Sequence, residues 1–167
     1  GKDLAYNALA AISLADLLGV TVKDSVNALK EYTAFEGRFE IKELNEYVTL
    51  VNDAYNANPT SMKMAIETFD DIFEPSEYDR VLILGDMKEL GKVAQEQHRL
   101  IGELVKRKNF TKVYYVGDYY KDFGLGEKLI NWYQAEVIVE RTKRNVRKKT
   151  AILLKSSHSI GLYNIEK

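Results

Sequence analysis

Apolar residues recur along this chain with two different periods. Leu4, Ala8, Ala11, Ile12, Ala15 and Leu18 share one helical face, and Gly19 stops that helix. Thr21, with Asp24 three positions later, makes a capping pattern and opens a second helix whose Val22, Val26 and Leu29 face inward. The pair predicts an α-hairpin with too little apolar surface to stand alone. From residue 37 to 45 the pattern alternates through Phe39, Ile41 and Leu44, and residues 47–51 are dense in β-branched side chains, which predicts a hairpin or two adjacent strands. Asn58 and Pro59 read as the N-cap and first residue of a helix. Met62, Ala65, Ile66, Phe69 and Phe73 then follow at helical spacing.

Beyond that point short apolar strands alternate with helices. Strands are predicted at 80–84, 112–116, 136–139 and 151–154, with helices over 94–108 and 123–133 and a basic helix or turn over 141–149. Such alternation implies βαβ units. The predicted class is α/β, a Rossmann-like and mostly parallel sheet flanked by helices and preceded by the α-hairpin.

Composition narrows the functions. The chain has 167 residues, 46% of them hydrophobic, and a formal net charge of −1. That is enough for a core and argues against a general nucleic-acid or membrane-surface role. It has no cysteine, which excludes disulfides, thiolate metal sites and cysteine nucleophiles. Two histidines are too few for a metal cluster. The start, Gly1-Lys2-Asp3 running straight into a helical pattern, is expected of a fragment.

In a parallel open sheet, ligands bind beyond the carboxyl ends of the strands. Here the polar loops after four strands are candidates: 52–61, 85–91, Gly117-Asp118, and 155–159. A helix start near Thr60 and Ser61 favours anions, though capping by Asn58 is the ordinary reading. Asp53 ends a strand, where a carboxylate can hold a ribose diol or serve as a cap or ion-pair partner; spacing alone favours the latter. The stretch 85–92 looks like a phosphate-binding P-loop. It has one residue too many between its glycines and Val93 in place of the hydroxyl after Lys92, so the reading fails. His98, three residues before Ile101, reads as a partly buried structural histidine. Tyr114, Tyr115, Tyr119 and Tyr120 read as packing, and the basic run over 141–149 as a solvated face.

These loops resemble a known family. Asn52-Asp53-Ala54-Tyr55-Asn56-Ala57-Asn58-Pro59-Thr60-Ser61 resembles a signature loop of the Mur ligases, in the branch that adds D-alanyl-D-alanine. Gly85-Asp86-Met87-Lys88-Glu89-Leu90-Gly91, followed by His98, is similar to a second signature. Tyr6-Asn7-Ala8-Leu9-Ala10-Ala11 resembles the helix ending the family's central ATPase domain, and Gly37-Arg38 its linker arginine.

The resemblance implies that residues 1–36 are terminal helices of a central ATPase domain and 37–167 a C-terminal Rossmann-like domain. It implies ATP and Mg²⁺ as cofactors, held mainly by a central domain that this chain lacks together with an N-terminal one. UDP-MurNAc-peptide and D-alanyl-D-alanine are the implied substrates, and the cytoplasm the implied location. The implied chemistry is amide formation: a carboxylate takes the γ-phosphoryl group and the amine attacks the resulting acyl phosphate. Without a P-loop the fragment alone is expected to be inactive. By resemblance Asn7, Arg38 and Asp53 hold the nucleotide, while Tyr55, Asn56, Asn58, Ser61, Asp86, Lys155 and His158 face substrate; no catalytic or metal-binding residue is implied.

The sequence departs from the family in three places, one of them the run over 141–149, which is shorter than the family's corresponding segment. The family's Lys-Gly-Ser-Arg-Gly is here Lys155-Ser156-Ser157-His158-Ser159, so a fixed-charge arginine is replaced by one ring. Asp3 and Leu4 stand for a usual His-Asn pair. Two alternatives stay open: a ligase of the superfamily adding another amino acid or peptide, and a non-catalytic binding module with the same fold.

Overall fold

The structure is a computed structural model; it describes residues 2–33, 35–121 and 124–166. The chain divides into two compact units, Gly1–Ala34 and Phe35–Lys167. The first is a helical pair, α1 (Lys2–Leu17) and α2 (Val22–Lys30). Gly19 takes φ +84° between them, and the Thr21 hydroxyl accepts from Asp24 N–H to cap α2. Tyr6, Leu9, Leu14, Leu17 and Leu18 are exposed.

The second unit holds a six-stranded sheet. Its elements are β1 (Glu40–Glu43), β2 (Val48–Asn52), α3 (Pro59–Ile72), β3 (Asp79–Gly85), α4 (Ala94–Lys106), β4 (Lys112–Val116), β5 (Glu127–Leu129), α5 (Trp132–Asn145) and β6 (Thr150–Lys155). The spatial order is β1-β2-β6-β3-β4-β5. β1 pairs antiparallel with β2, and every other pairing is parallel. β2, β3 and β6 are near-continuous apolar runs because they are covered on both faces. Met62, Ile66 and Phe69 of α3 and Ile101, Leu104 and Val105 of α4 cover one face. Ala135 and Val139 of α5, with Leu162 and Ile165, cover the other.

The crossovers through α3 and α4 run one way along the sheet, and the return through α5 drops β6 between β2 and β3. Helices therefore leave to opposite faces where β2, β6 and β3 end, which opens a crevice at their carboxyl ends.

Two assignments made from the pattern are corrected. Residues 136–139 are not a strand but the middle of α5. Asn131 caps that helix by accepting from Gln134 N–H, and Ala135 and Val139 are buried one turn apart. The expected helix over 123–133 is instead a turn, the edge strand β5 and the cap of α5; Phe123 lies outside the described residues. An edge strand of three residues with Glu127 and Lys128 exposed suits its position, since short charged edges resist further pairing. Of the basic run, 141–145 completes α5 and the remainder leads into β6. Its cations pair locally: Lys143 with Glu140 and Glu166, Lys148 with Asp79.

Candidate active site

The four polar loops meet at one rim. Register brings them together, because Asn52 of β2 lies beside Leu154 of β6, and Leu84 of β3 beside Lys155. Asp53 N–H donates to the Leu154 carbonyl at 2.9 Å, which carries the ladder one residue past β2.

Asp53 and Lys155 face each other there. Lys155 Nζ lies 2.8 Å from Asp53 Oδ2, with side chains only 3% and 14% exposed. Lys155 also donates to the Asn56 carbonyl at 2.7 Å, while Asp53 Oδ1 accepts from Phe39 N–H at 3.0 Å. Burial pushes the Asp53 carboxyl above its ordinary pKa against the pull of Lys155. Burial likewise pushes the Lys155 ammonium down, with Asp53 opposing it. Phe39, though not glycine, takes φ +52°. A side chain in that left-handed region persists where its surroundings hold it, and here the Asp53 carboxylate does. The constrained turn presents the preceding residue, Arg38. Its guanidinium carbon lies 4.4 Å above the Tyr55 ring, exposed, and its field reaches both Asp53 and Lys155. Tyr55 also meets His158 (centroids 5.5 Å apart) and Tyr163 (5.8 Å), so the rim has an aromatic wall.

The polar side chains of the loop after β2 build the helix start that Asn58-Pro59 announces. Asn58 and Ser61 form a reciprocal capping box: Asn58 Oδ1 accepts from Ser61 N–H at 2.8 Å and Ser61 Oγ accepts from Asn58 N–H at 3.0 Å. Their side chains are committed to α3. Pro59 has no N–H, and Met62 N–H bonds to the Asn58 carbonyl, so the helix start offers an anion only Thr60 N–H. Asn56 is exposed, its Oδ1 accepting from Ala57 N–H at 2.9 Å.

Asp86 is likewise turned inward and is 2% exposed. Its carboxylate accepts from Asp118 N–H at 3.1 Å and Tyr119 N–H at 3.3 Å, with Lys88 Nζ at 3.4 Å. The approach needs Gly117, at φ +123°: a Cβ there would fall 2.2 Å from the Asp86 carboxyl carbon. Asp86 thus braces the loop after β4 against the loop after β3. His98 is fully buried, more so than the sequence implied. Its Nε2 accepts from Met87 N–H at 2.9 Å and its Nδ1 lies 2.7 Å from the Ala94 carbonyl, which fixes a neutral ring protonated on Nδ1. Burial holds its pKa below the ordinary value. Met87 N–H is taken by His98 and Lys88 N–H by Ser157 Oγ, so neither amide is open to a phosphate.

Ser157 is the residue that sequence reasoning passed over. It is 5% exposed and bonded to two neighbouring loops. Asn7 sits exposed on α1, in the other unit. Among the described residues no three His, Cys, Asp or Glu side chains gather as a metal ion requires, and no helix is long and apolar enough to cross a membrane.

The model of the family described as "Mur ligase, glutamate ligase domain" matches residues 37–158, from the turn before β1 to His158 on the rim. The chain belongs to the Mur ligase family. It is 31% identical over 156 residues to a UDP-N-acetylmuramoyl-tripeptide–D-alanyl-D-alanine ligase of Buchnera aphidicola, covering 92% of this chain and 33% of that one. A crystal structure of MurF from Acinetobacter baumannii superposes with a TM-score of 0.83 at 23% identity, over 99% of this chain and 36% of that one. MurF ligase from Thermotoga maritima, solved in complex with ADP, gives 0.73 at 23% identity over 92% and 34%. These solved structures establish the Mur ligase fold. The chain spans about a third of the length of the relatives it matches.

Proposed function

We propose that this chain is the carboxyl-terminal part of an ATP-dependent amide ligase that joins D-alanyl-D-alanine to UDP-MurNAc-tripeptide. In this reading the helices of the first unit are the end of a central ATPase domain, and the second unit closes over the nucleotide and brings the amine. The observation that carries it is the convergence of Arg38, Asp53 and Lys155 with the loops of Asn56, Lys88 and His158 on one rim, in a chain whose relatives include ligases of that name.

The residues fit a nucleotide's sugar and phosphate ends. A carboxylate offers about four acceptor positions, and Asp53 gives one oxygen to Phe39 N–H and the other to Lys155. Capacity remains for a ribose diol. Arg38 is an exposed fixed charge with several donors, suited to phosphate oxygens. ATP, when bound, supplies the phosphoryl group that activates the acceptor carboxylate. The residues here orient it and, on closure, exclude water from the activated acyl group. Asn56, His158 and the Tyr55 ring would face the amine. Asn58, Ser61 and Asp86 would act by shaping the loops.

The test is ligation by the full-length protein. Phosphate release should require both UDP-MurNAc-tripeptide and D-alanyl-D-alanine, and the 167-residue chain alone should release none. A strong preference for another amine would displace the dipeptide, which His158 at the usual arginine position makes worth testing. ATP turnover by the isolated chain would refute the assignment outright.

A further inference from the structure

Three exposed polar side chains at the rim, Asn56, Lys88 and His158, come from three different loops. One small residue sits where those loops touch. Ser157 Oγ accepts from Lys88 N–H at 2.9 Å and donates to the Ala57 carbonyl at 3.5 Å, while Ser157 N–H donates to the Asp86 carbonyl at 3.2 Å. Each exposed side chain is therefore at the knot or one residue from it: Asn56 precedes Ala57, Lys88 is held directly, and His158 follows Ser157. The residue after Lys88 adds a second observation. Glu89 takes φ +65° without being glycine, a conformation that lasts only while its neighbours are fixed.

We propose that Ser157 is a positioning residue that keys these three loops into one register and so sets the geometry of amine recognition. The proposal rests on the ligase reading for the identity of the ligand, and on the hydrogen bonds alone for the knot. Removing the hydroxyl leaves Lys88 N–H and the buried Ala57 carbonyl without the bonds they now make to it. It also frees the strained turn at Glu89 to relax and carry Lys88 with it. The knot reaches Asp53 and Arg38 only through Lys155 and Tyr55, which hold the Asn56 carbonyl and the His158 ring, so the nucleotide edge should respond much less than the amine side.

The experiment has two arms. In the 167-residue chain, Ser157→Ala should speed amide exchange at Lys88 by about tenfold or more, with the amides of β2 and β6 unchanged. Ser157→Cys, which keeps a side chain of similar reach but hydrogen-bonds weakly, should do the same. In the full-length protein, Ser157→Ala should raise KM for D-alanyl-D-alanine about tenfold while KM for ATP stays within about twofold. Wild-type exchange at Lys88 in both variants overturns the knot. A parallel rise in both KM values with a lower melting temperature overturns the positioning role, because general loosening would then explain it. If the unmutated full-length protein does not ligate, the ligase reading falls by itself, and the exchange arm still decides the knot.

Discussion

Lys155 Nζ lies 2.8 Å from Asp53 Oδ2, with both side chains largely closed off from water. Breaking one partner of such a pair is far worse than replacing both, because the survivor keeps the desolvation penalty without the attraction. Asp53→Asn keeps an acceptor for Phe39 N–H and removes only the charge. It should destabilise the chain by about 3 kcal/mol, read as a lower urea midpoint at unchanged slope. Adding Lys155→Met should recover most of that loss. Equal midpoints for Asp53→Asn and wild type would mean that the ammonium is solvated, contrary to its 3% exposure.

His98 predicts a pH dependence. Burial depresses its folded pKa below the ordinary 6.5, with the Ala94 bond and Asp86 opposing. For a base with a depressed folded pKa the unfolded chain binds more protons at mildly acid pH. The stability it contributes is complete above 6.5 and is lost as pH falls from there through the folded value. Protonation would also remove the lone pair that accepts Met87 N–H. Melting temperature should drop as pH falls from about 7 to about 5, and His98→Gln, which can accept but cannot titrate there, should flatten that drop. An unchanged slope in the variant would assign the effect elsewhere.

Gly117→Ala should be among the most damaging single changes at the rim. The new Cβ would need the space of the Asp86 carboxyl, 2.2 Å away, at a φ of +123° that side chains avoid. Displacing Asp86 also costs the bonds from Asp118 and Tyr119 N–H. A loss of about 3 kcal/mol is expected from strain and broken bonds together. Calorimetry that finds less than about 1 kcal/mol would mean the loop after β4 can move without penalty.

What could be seen in advance was local chemistry. Asn58-Pro59 and Thr21 with Asp24 announce helix starts because caps are made within four residues. The apolar runs of β2, β3 and β6 announce strands because both faces are buried. α5 was hidden: Tyr133 and Val137 are exposed on it, so its apolar residues do not fall on one face, and the stretch Val137-Ile138-Val139 imitates a strand. β5 has no period to read in three residues. At the site, Asp53 and Lys155 could be placed at strand ends, and the reading of Asp53 as a cap or ion-pair partner, which spacing favours, agrees with its pairing to Lys155. That they pair with each other follows from β6 entering between β2 and β3, a long-range choice that no local pattern records. The inward turn of Asp86 and the knot at Ser157 depend on that same order.

Ser156 stands where the family usually has glycine, and it is fully buried with a hydroxyl that has no hydrogen-bond partner among the described residues. Its Cβ fills the space beside Gly85, where an added carbon on the glycine would come within 2.5 Å of it. The carbon is therefore useful packing and the oxygen a liability, since an unpaired buried hydroxyl loses its hydration and gains nothing in return. Ser156→Ala should keep the first and delete the second, raising stability by about 1 kcal/mol with the bonds of Ser157 and Lys155 untouched. Ser156→Gly should do worse than alanine, because it empties the space and adds chain entropy to the unfolded state. Urea midpoints for the two variants check the order. A loss of stability in Ser156→Ala would show that the hydroxyl is held after all, and the rim would then have one more polar group to account for.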